Sequence, residues 1–146
     1  METKTTNDRL NMVAPCGIDC GICELHLCKD DEQLYNYLVQ KGIPKEKLPC
    51  AGCRSIEGHC PTIDKICDTW LCVNENEVEF CSGCTNFPCN KLQPAADRAD
   101  ILPHNLKVFN LCTINQIGLK AFTEKSSEIK RKYYKGKMQV GNGPQL

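Results

Sequence analysis

Large apolar residues are what this chain has least of. Leu, Ile, Val and Phe together number 33 of 146, only a little above the fraction of roughly a fifth below which chains tend to stay disordered. Between Cys50 and Cys89, nine large apolar residues (Ile56, Ile63, Ile66, Trp70, Leu71, Val73, Val78, Phe80 and Phe87) must organise forty positions. Burial alone cannot fix so many loops at that density. No apolar run approaches the ~18 residues of a membrane helix, and Met1 to Leu10 is polar, without the hydrophobic stretch of a secretory signal. The protein is expected to be soluble and cytoplasmic, with no membrane contact. Also absent are a Gly-rich phosphate loop, a Ser/His/Asp set and a His-Glu helix motif, so the reading leans away from an enzyme.

Cysteine is what the chain has in excess. There are thirteen, and twelve of them lie from Cys16 to Cys89 at mostly short spacings. A reducing compartment does not sustain structural disulfides, and there a dense thiol pattern points to metal or to catalysis. The odd count also fits a closed disulfide framework poorly. A structural zinc site contributes an apparent ~10–16 kcal/mol at neutral pH, as much as the whole net stability of a small domain. One or two such sites would replace the missing core.

Charge argues against nucleic acid. From Cys50 to Cys89 two basic residues, Arg54 and Lys65, face six acidic ones, Glu57, Asp64, Asp68, Glu75, Glu77 and Glu79. Metal-bound thiolates deepen that negative field, whereas nucleic-acid affinity rests on Lys and Arg displacing counterions. The basic residues gather elsewhere, at Lys125, Lys130, Arg131, Lys132, Lys135 and Lys137.

Patterning divides the chain into a flexible leader over 1–11, a single Cys-rich unit with C-terminal helices over 12–124, and a basic, partly disordered tail over 125–146. Within Asp31 to Lys41, Leu34, Tyr37 and Leu38 fall at helical spacing, with Gly42 as a stop and Pro44 after it. From Lys45 to Cys89 no period is sustained, so turns and knuckles are expected, with a short strand near Val78 to Phe80. Helical signals return in Asn90 to Arg98, broken near Pro94, and at Pro103-His104-Asn105, which starts a helix carrying Leu106 and Phe109. Thr113 and Gln116 read as a capping box for a last helix with Ile117, Ala121 and Ile129 on one face. The expected fold is a small metal-stabilised, irregular Cys-rich domain with flanking α-helices, mostly α plus loops with little β.

The candidate metal ligands are Cys16, Cys20, Cys23, Cys50, Cys53, Cys60, Cys67, Cys72, Cys81, Cys84 and Cys89. A Cys-x-x-Cys pair lets two thiolates reach one ion from a tight turn. Three such pairs occur, Cys20/Cys23, Cys50/Cys53 and Cys81/Cys84, the last two sharing a Gly-Cys ending. Soft thiolates in fours select zinc or iron–sulfur clusters, but eleven sulfurs allow many partitions. His26, Cys28 and His59 are further candidates, His104 reads as a surface or capping residue, and Cys112 as a small buried apolar one. The Cys16-x3-Cys20-x2-Cys23 spacing also resembles that of radical S-adenosylmethionine enzymes, yet the strand–helix alternation of such enzymes is missing. The bacterial ferredoxin run is missing too, with only Cys60-Pro61 echoing its end.

The ordered series Pro15-Cys16-Gly17-x-x-Cys20-x-x-Cys23, Cys50-x-Gly52-Cys53-Arg54, Cys67-x4-Cys72 and Phe80-Cys81-x-x-Cys84-x-x-Phe87-Pro88-Cys89, followed by Asn105-Leu106 and Ile117-x4-Phe122, resembles the bacterial and archaeal Cys-rich proteins catalogued as domain of unknown function 3795. The resemblance implies a metal-binding domain with no established activity. The insert between Cys28 and Cys50 is long for that family, and Cys28 and Cys112 are not shared with it. The expected function is a cytoplasmic, non-enzymatic metal-binding protein, zinc being the ion, with a structural or interaction role toward a protein partner. The alternatives are an iron–sulfur protein in electron transfer or redox sensing, and a thiol-based enzyme or metal-delivery protein built on an accessible Cys28.

Overall fold

The computed structural model describes residues 7–92, 99–100, 102–137 and 139–141. Residues 7–10 are helical, and the chain then enters a tight loop closed by an isolated antiparallel bridge between Val13 and Asp19. Ala14 N–H donates to the Ile18 carbonyl at 2.8 Å and Cys20 N–H to that of Met12 at 2.9 Å. Asp19, almost fully buried, accepts both arms of the Arg9 guanidinium at 2.9 and 2.6 Å and the Gly21 N–H at 3.0 Å. A carboxylate taken out of water needs that many donors. It thereby caps the 3-10 turn Cys20–Ile22 that follows.

Two short helices come next, α1 (Glu24–Leu27) and α2 (Glu32–Gln40). Asp31 caps α2 by accepting from Leu34 N–H at 3.0 Å, which satisfies one of the orphan donors of a helix start. The inward face of α2 is Leu38 with Leu34 and Tyr35. Tyr37, expected on that face, is exposed and lies under the Lys41 ammonium. Between Lys45 and Cys67 the chain makes turns, as its composition predicts, but Asp68–Glu75 then forms a helix, α3, that the sequence pattern conceals. Its buried residues are only Thr69 and Val73, too few and too polar to reveal a period. Val78 to Phe80 is not a strand; it runs as bends between α3 and the 3-10 turn Cys81–Gly83. Asn90–Leu92 is a further 3-10 turn, and the break expected at Pro94 lies outside the described residues.

Pro103–Leu106 opens α4 (Lys107–Ile117), and Gly118, at φ +87°, joins it to α5 (Leu119–Lys135). The capping box expected at Thr113 is not formed. Thr113 lies inside α4 with its hydroxyl donating to the Phe109 carbonyl at 2.8 Å, and the left-handed conformation that ends the helix is supplied by glycine five residues later. α5 buries Phe122, Ser126 and Ile129, at i, i+4 and i+7. It runs straight through residue 125, so the boundary expected there falls inside a packed helix. Lys130 fixes it to the first cysteine loop, pairing with Glu24 at 2.8 Å and donating to the Ile22 carbonyl.

Among the described residues the core is divided into four small clusters. One is made by the α4–α5 pair with Val13, Leu106, Ile114, Phe122 and Ile129. The other three contain thiols: Cys23, Cys28 and Cys50 with Leu25, Leu38, Ile43 and Leu102; Cys81 with Val73, Leu92 and Leu111; and Cys20 with Ala14 and Ile18. The molecule is mostly helical with loops and almost no β structure, and among the described residues no helix is long and apolar enough to cross a membrane.

Candidate metal centre

The first sulfurs are placed by backbone that has no room for side chains. Gly17 has φ +92°, and a Cβ there would sit 2.7 Å from the Lys107 carbonyl oxygen and 2.8 Å from Leu111 Cγ. Asn110 on α4 donates to the Gly17 carbonyl at 2.9 Å. Cys16 and Cys20 are thus carried on a loop pressed against α4. Cys53 arrives from the next loop, held by Arg54, which donates to the Val13 carbonyl through Nε and to that of Glu79 through Nη2, both at 2.9 Å. The guanidinium also covers the Phe80 ring at 4.9 Å from its centroid.

This brings Cys20 Sγ to 3.6 Å from Cys53 Sγ. The contact holds Cys20 below its ordinary pKa and raises Cys53. Burial pushes Cys16 up to about 12, against the opposing field of Lys107. Cys53 feels the charges of Cys16 and Cys60 as well as Cys20, and Cys16 those of Cys20 and Cys67. Cys16, Cys53, Cys60 and Cys67 share the wall of a cleft of about 300 Å³ with Trp70, His104 and Lys107.

A second group lies beyond α3. Cys72, Cys81, Cys84 and Cys89 line a cavity of about 230 Å³ together with Asn76, Asn86 and Lys91. Burial pushes Cys81 up to about 11, with Cys89, Cys72 and Cys84 adding to the shift. The Cys72 thiol beside Lys91 raises the lysine above its usual range.

Cys23 and Cys50 occupy a third position, in the α1–α2 core, where burial raises Cys23 well above its ordinary pKa and takes Cys50 to about 11. Gly52 N–H donates to Cys50 Sγ at 3.4 Å. Cys28 is buried and its thiol donates to the Leu25 carbonyl at 3.3 Å. That removes the accessibility on which a reactive Cys28 depends. Cys112, expected to be buried, is exposed on α4. His26 Nδ1 contacts the Cys50 carbonyl at 2.7 Å, and His59, exposed, contacts the Ile56 carbonyl through Nδ1 at 2.9 Å. His104, read as a surface or capping residue, is half-buried in the cleft wall. Lys107 and Lys91, one beside each thiol group, were not singled out as site residues by the sequence, since a lysine near cysteines has no distinctive spacing.

Among the described residues no three Cys, His, Asp or Glu side chains are already arranged to hold one ion. The donor chemistry and the Cys20/Cys53 pair are what suit the loops to an ion. Two sulfurs on one tetrahedral zinc, each ~2.3 Å from it, lie roughly 3.8 Å apart. The observed 3.6 Å matches that and is far from the ~2.05 Å of a disulfide. The thiols fit a soft cation.

These features define a class: a largely helical, cysteine-rich domain whose loops carry thiols into shared cavities. The chain belongs to the family described as "Protein of unknown function (DUF3795)", whose family model matches residues 12–94. The match takes in all eleven candidate ligands and ends before Asn105-Leu106 and the Ile117 to Phe122 segment. No curated protein and no solved structure matches the chain.

Proposed function

We propose that this protein is a cytoplasmic zinc-binding protein with a structural and interaction role, its cleft group of thiolates holding a metal ion that ties the two cysteine loops to α3 and α4. The observation that carries the reading is the Cys20/Cys53 sulfur pair at 3.6 Å. Cys16 and Cys60 are the nearest further donors in electrostatic terms, with Cys67 on the same cleft wall. Bound zinc supplies a covalent-strength cross-link between segments too poor in apolar residues to pack unaided. The chain's own part is to present deprotonated sulfur and to balance its charge, for which Lys107 beside Cys16 and Arg54 beside Cys20 are placed. The acidic middle segment favours a protein partner over nucleic acid.

A second reading, an iron–sulfur protein in electron transfer or redox sensing, draws support from the number of sulfurs around the cleft, which exceeds the four a single zinc takes. A thiol enzyme or metal-delivery role loses its candidate nucleophile with the burial of Cys28. Elemental analysis of the anaerobically purified chain separates these. At least one zinc per chain in a colourless protein is expected. Brown protein carrying iron and sulfide hands the site to a cluster, and less than one metal per chain with a fold indifferent to chelators would falsify both.

A further inference from the structure

The group beyond α3 has the makings of a site of its own. Cys81 and Cys84 flank the 3-10 turn Cys81–Gly83, closed by Cys84 N–H donating to the Cys81 carbonyl at 3.1 Å. A turn of this kind puts both sulfurs on one side. The following turn, with Phe87 N–H donating to the Cys84 carbonyl at 3.2 Å, brings Cys89 round to the same cavity. The fourth sulfur, Cys72, comes from α3. Cys67, just before that helix, lines the cleft instead. Cys67, the N-cap of α3, and Cys72, inside it, thus line different cavities.

Donors point at these sulfurs. Asn86 N–H lies 3.4 Å from Cys84 Sγ, Asn76 Nδ2 lies 3.5 Å from Cys72 Sγ, and the Lys91 ammonium reaches Cys72. Four thiolates around one divalent ion leave a net charge of minus two, which such donors offset. The local need is also plain, because among the described residues this cluster's buried members are Val73, Cys81, Leu92 and Leu111.

We propose that Cys72, Cys81, Cys84 and Cys89 form a second, mononuclear site for one soft divalent cation, zinc, separate from the cleft group and clamping the 81–89 loop to α3. Four thiols on one cavity supply the number and type of donor that a closed structural zinc site takes; no three of them already surround one point, so binding draws the 81–89 loop and α3 together. The proposal rests on the reading that thiolates of this chain hold metal, and adds a ligand set and a second ion.

The test is zinc stoichiometry of the full chain, reconstituted anaerobically with zinc alone and counted by elemental analysis. Wild type is expected to hold two ions. Cys84→Ser and Cys89→Ser are expected each to lose one ion and keep the other, and Cys20→Ser likewise. The Cys20→Ser/Cys89→Ser double variant is expected to hold none. Lys91→Glu is expected to weaken one of the two zinc affinities by on the order of tenfold or more, leaving the other unchanged. Cys89 is exposed, so its replacement is compatible with folding, checked by circular dichroism. Full zinc retention by both Cys84→Ser and Cys89→Ser overturns the second site while leaving the cleft site standing. Loss of one ion in those variants with none lost in Cys20→Ser supports the second site and removes the cleft site, and a metal-free wild type ends both.

Discussion

Gly17 shows how a residue without a side chain positions two thiols. Its left-handed φ and the 2.7 Å approach that a Cβ would make to the Lys107 carbonyl mean that alanine must both strain the backbone and push the loop off α4. Gly17→Ala is expected to lower unfolding stability by about 1–3 kcal/mol and to weaken metal binding at Cys16 and Cys20, measured by denaturant titration with and without zinc. An unchanged midpoint would show that the loop does not depend on α4. Arg54 acts at the same scale. One side chain bonds two separate backbone segments and covers a third residue's ring, and only its place after Cys53 in a motif hinted at importance.

Among the elements, α5 is the one whose role changes most between sequence and structure. Its Lys and Arg residues read as a solvated tail from 125 onward, yet Ser126 and Ile129 are buried and Lys130 is half-buried in a pair with Glu24. The apolar contacts on this stretch are few and widely spaced, so charge dominates the local pattern while packing decides the fold. Ile129→Ala is expected to cost about 2–5 kcal/mol, as large-to-small changes in a filled core do. Thermal or denaturant unfolding checks this, and a loss below ~0.5 kcal/mol would return the segment to the tail. The helix α3 is the opposite case. Its two buried residues gave no period, but it divides the thiols, carrying Cys72 to one cavity while Cys67 at its start lines the other.

For the molecule as a whole, the α4–α5 pair owns a core without cysteine, while the three remaining clusters include thiols. Under the proposed zinc reading, stability should therefore be uneven. Chelation is expected to abolish protection from hydrogen exchange across 50–92 while amides of 108–117 and 119–135 keep a larger share of theirs. Uniform loss throughout would mean that the helical pair has no independent stability. Retained protection everywhere would mean that burial suffices and metal is dispensable.

The sequence by itself determined the thiol inventory, the poverty of the core, the acidic surroundings, a helix within Asp31 to Lys41 and the turn-rich middle, because each is a matter of composition or of spacing within a few residues. Only the tertiary structure decided which sulfurs meet, that Cys28 is enclosed and Cys112 exposed, and that the basic C-terminal stretch is a packed helix. Those depend on faces and on contacts between residues far apart in the chain: Cys20 meets Cys53 across thirty-three positions, and Lys130 meets Glu24 across more than a hundred. No local pattern encodes such distances.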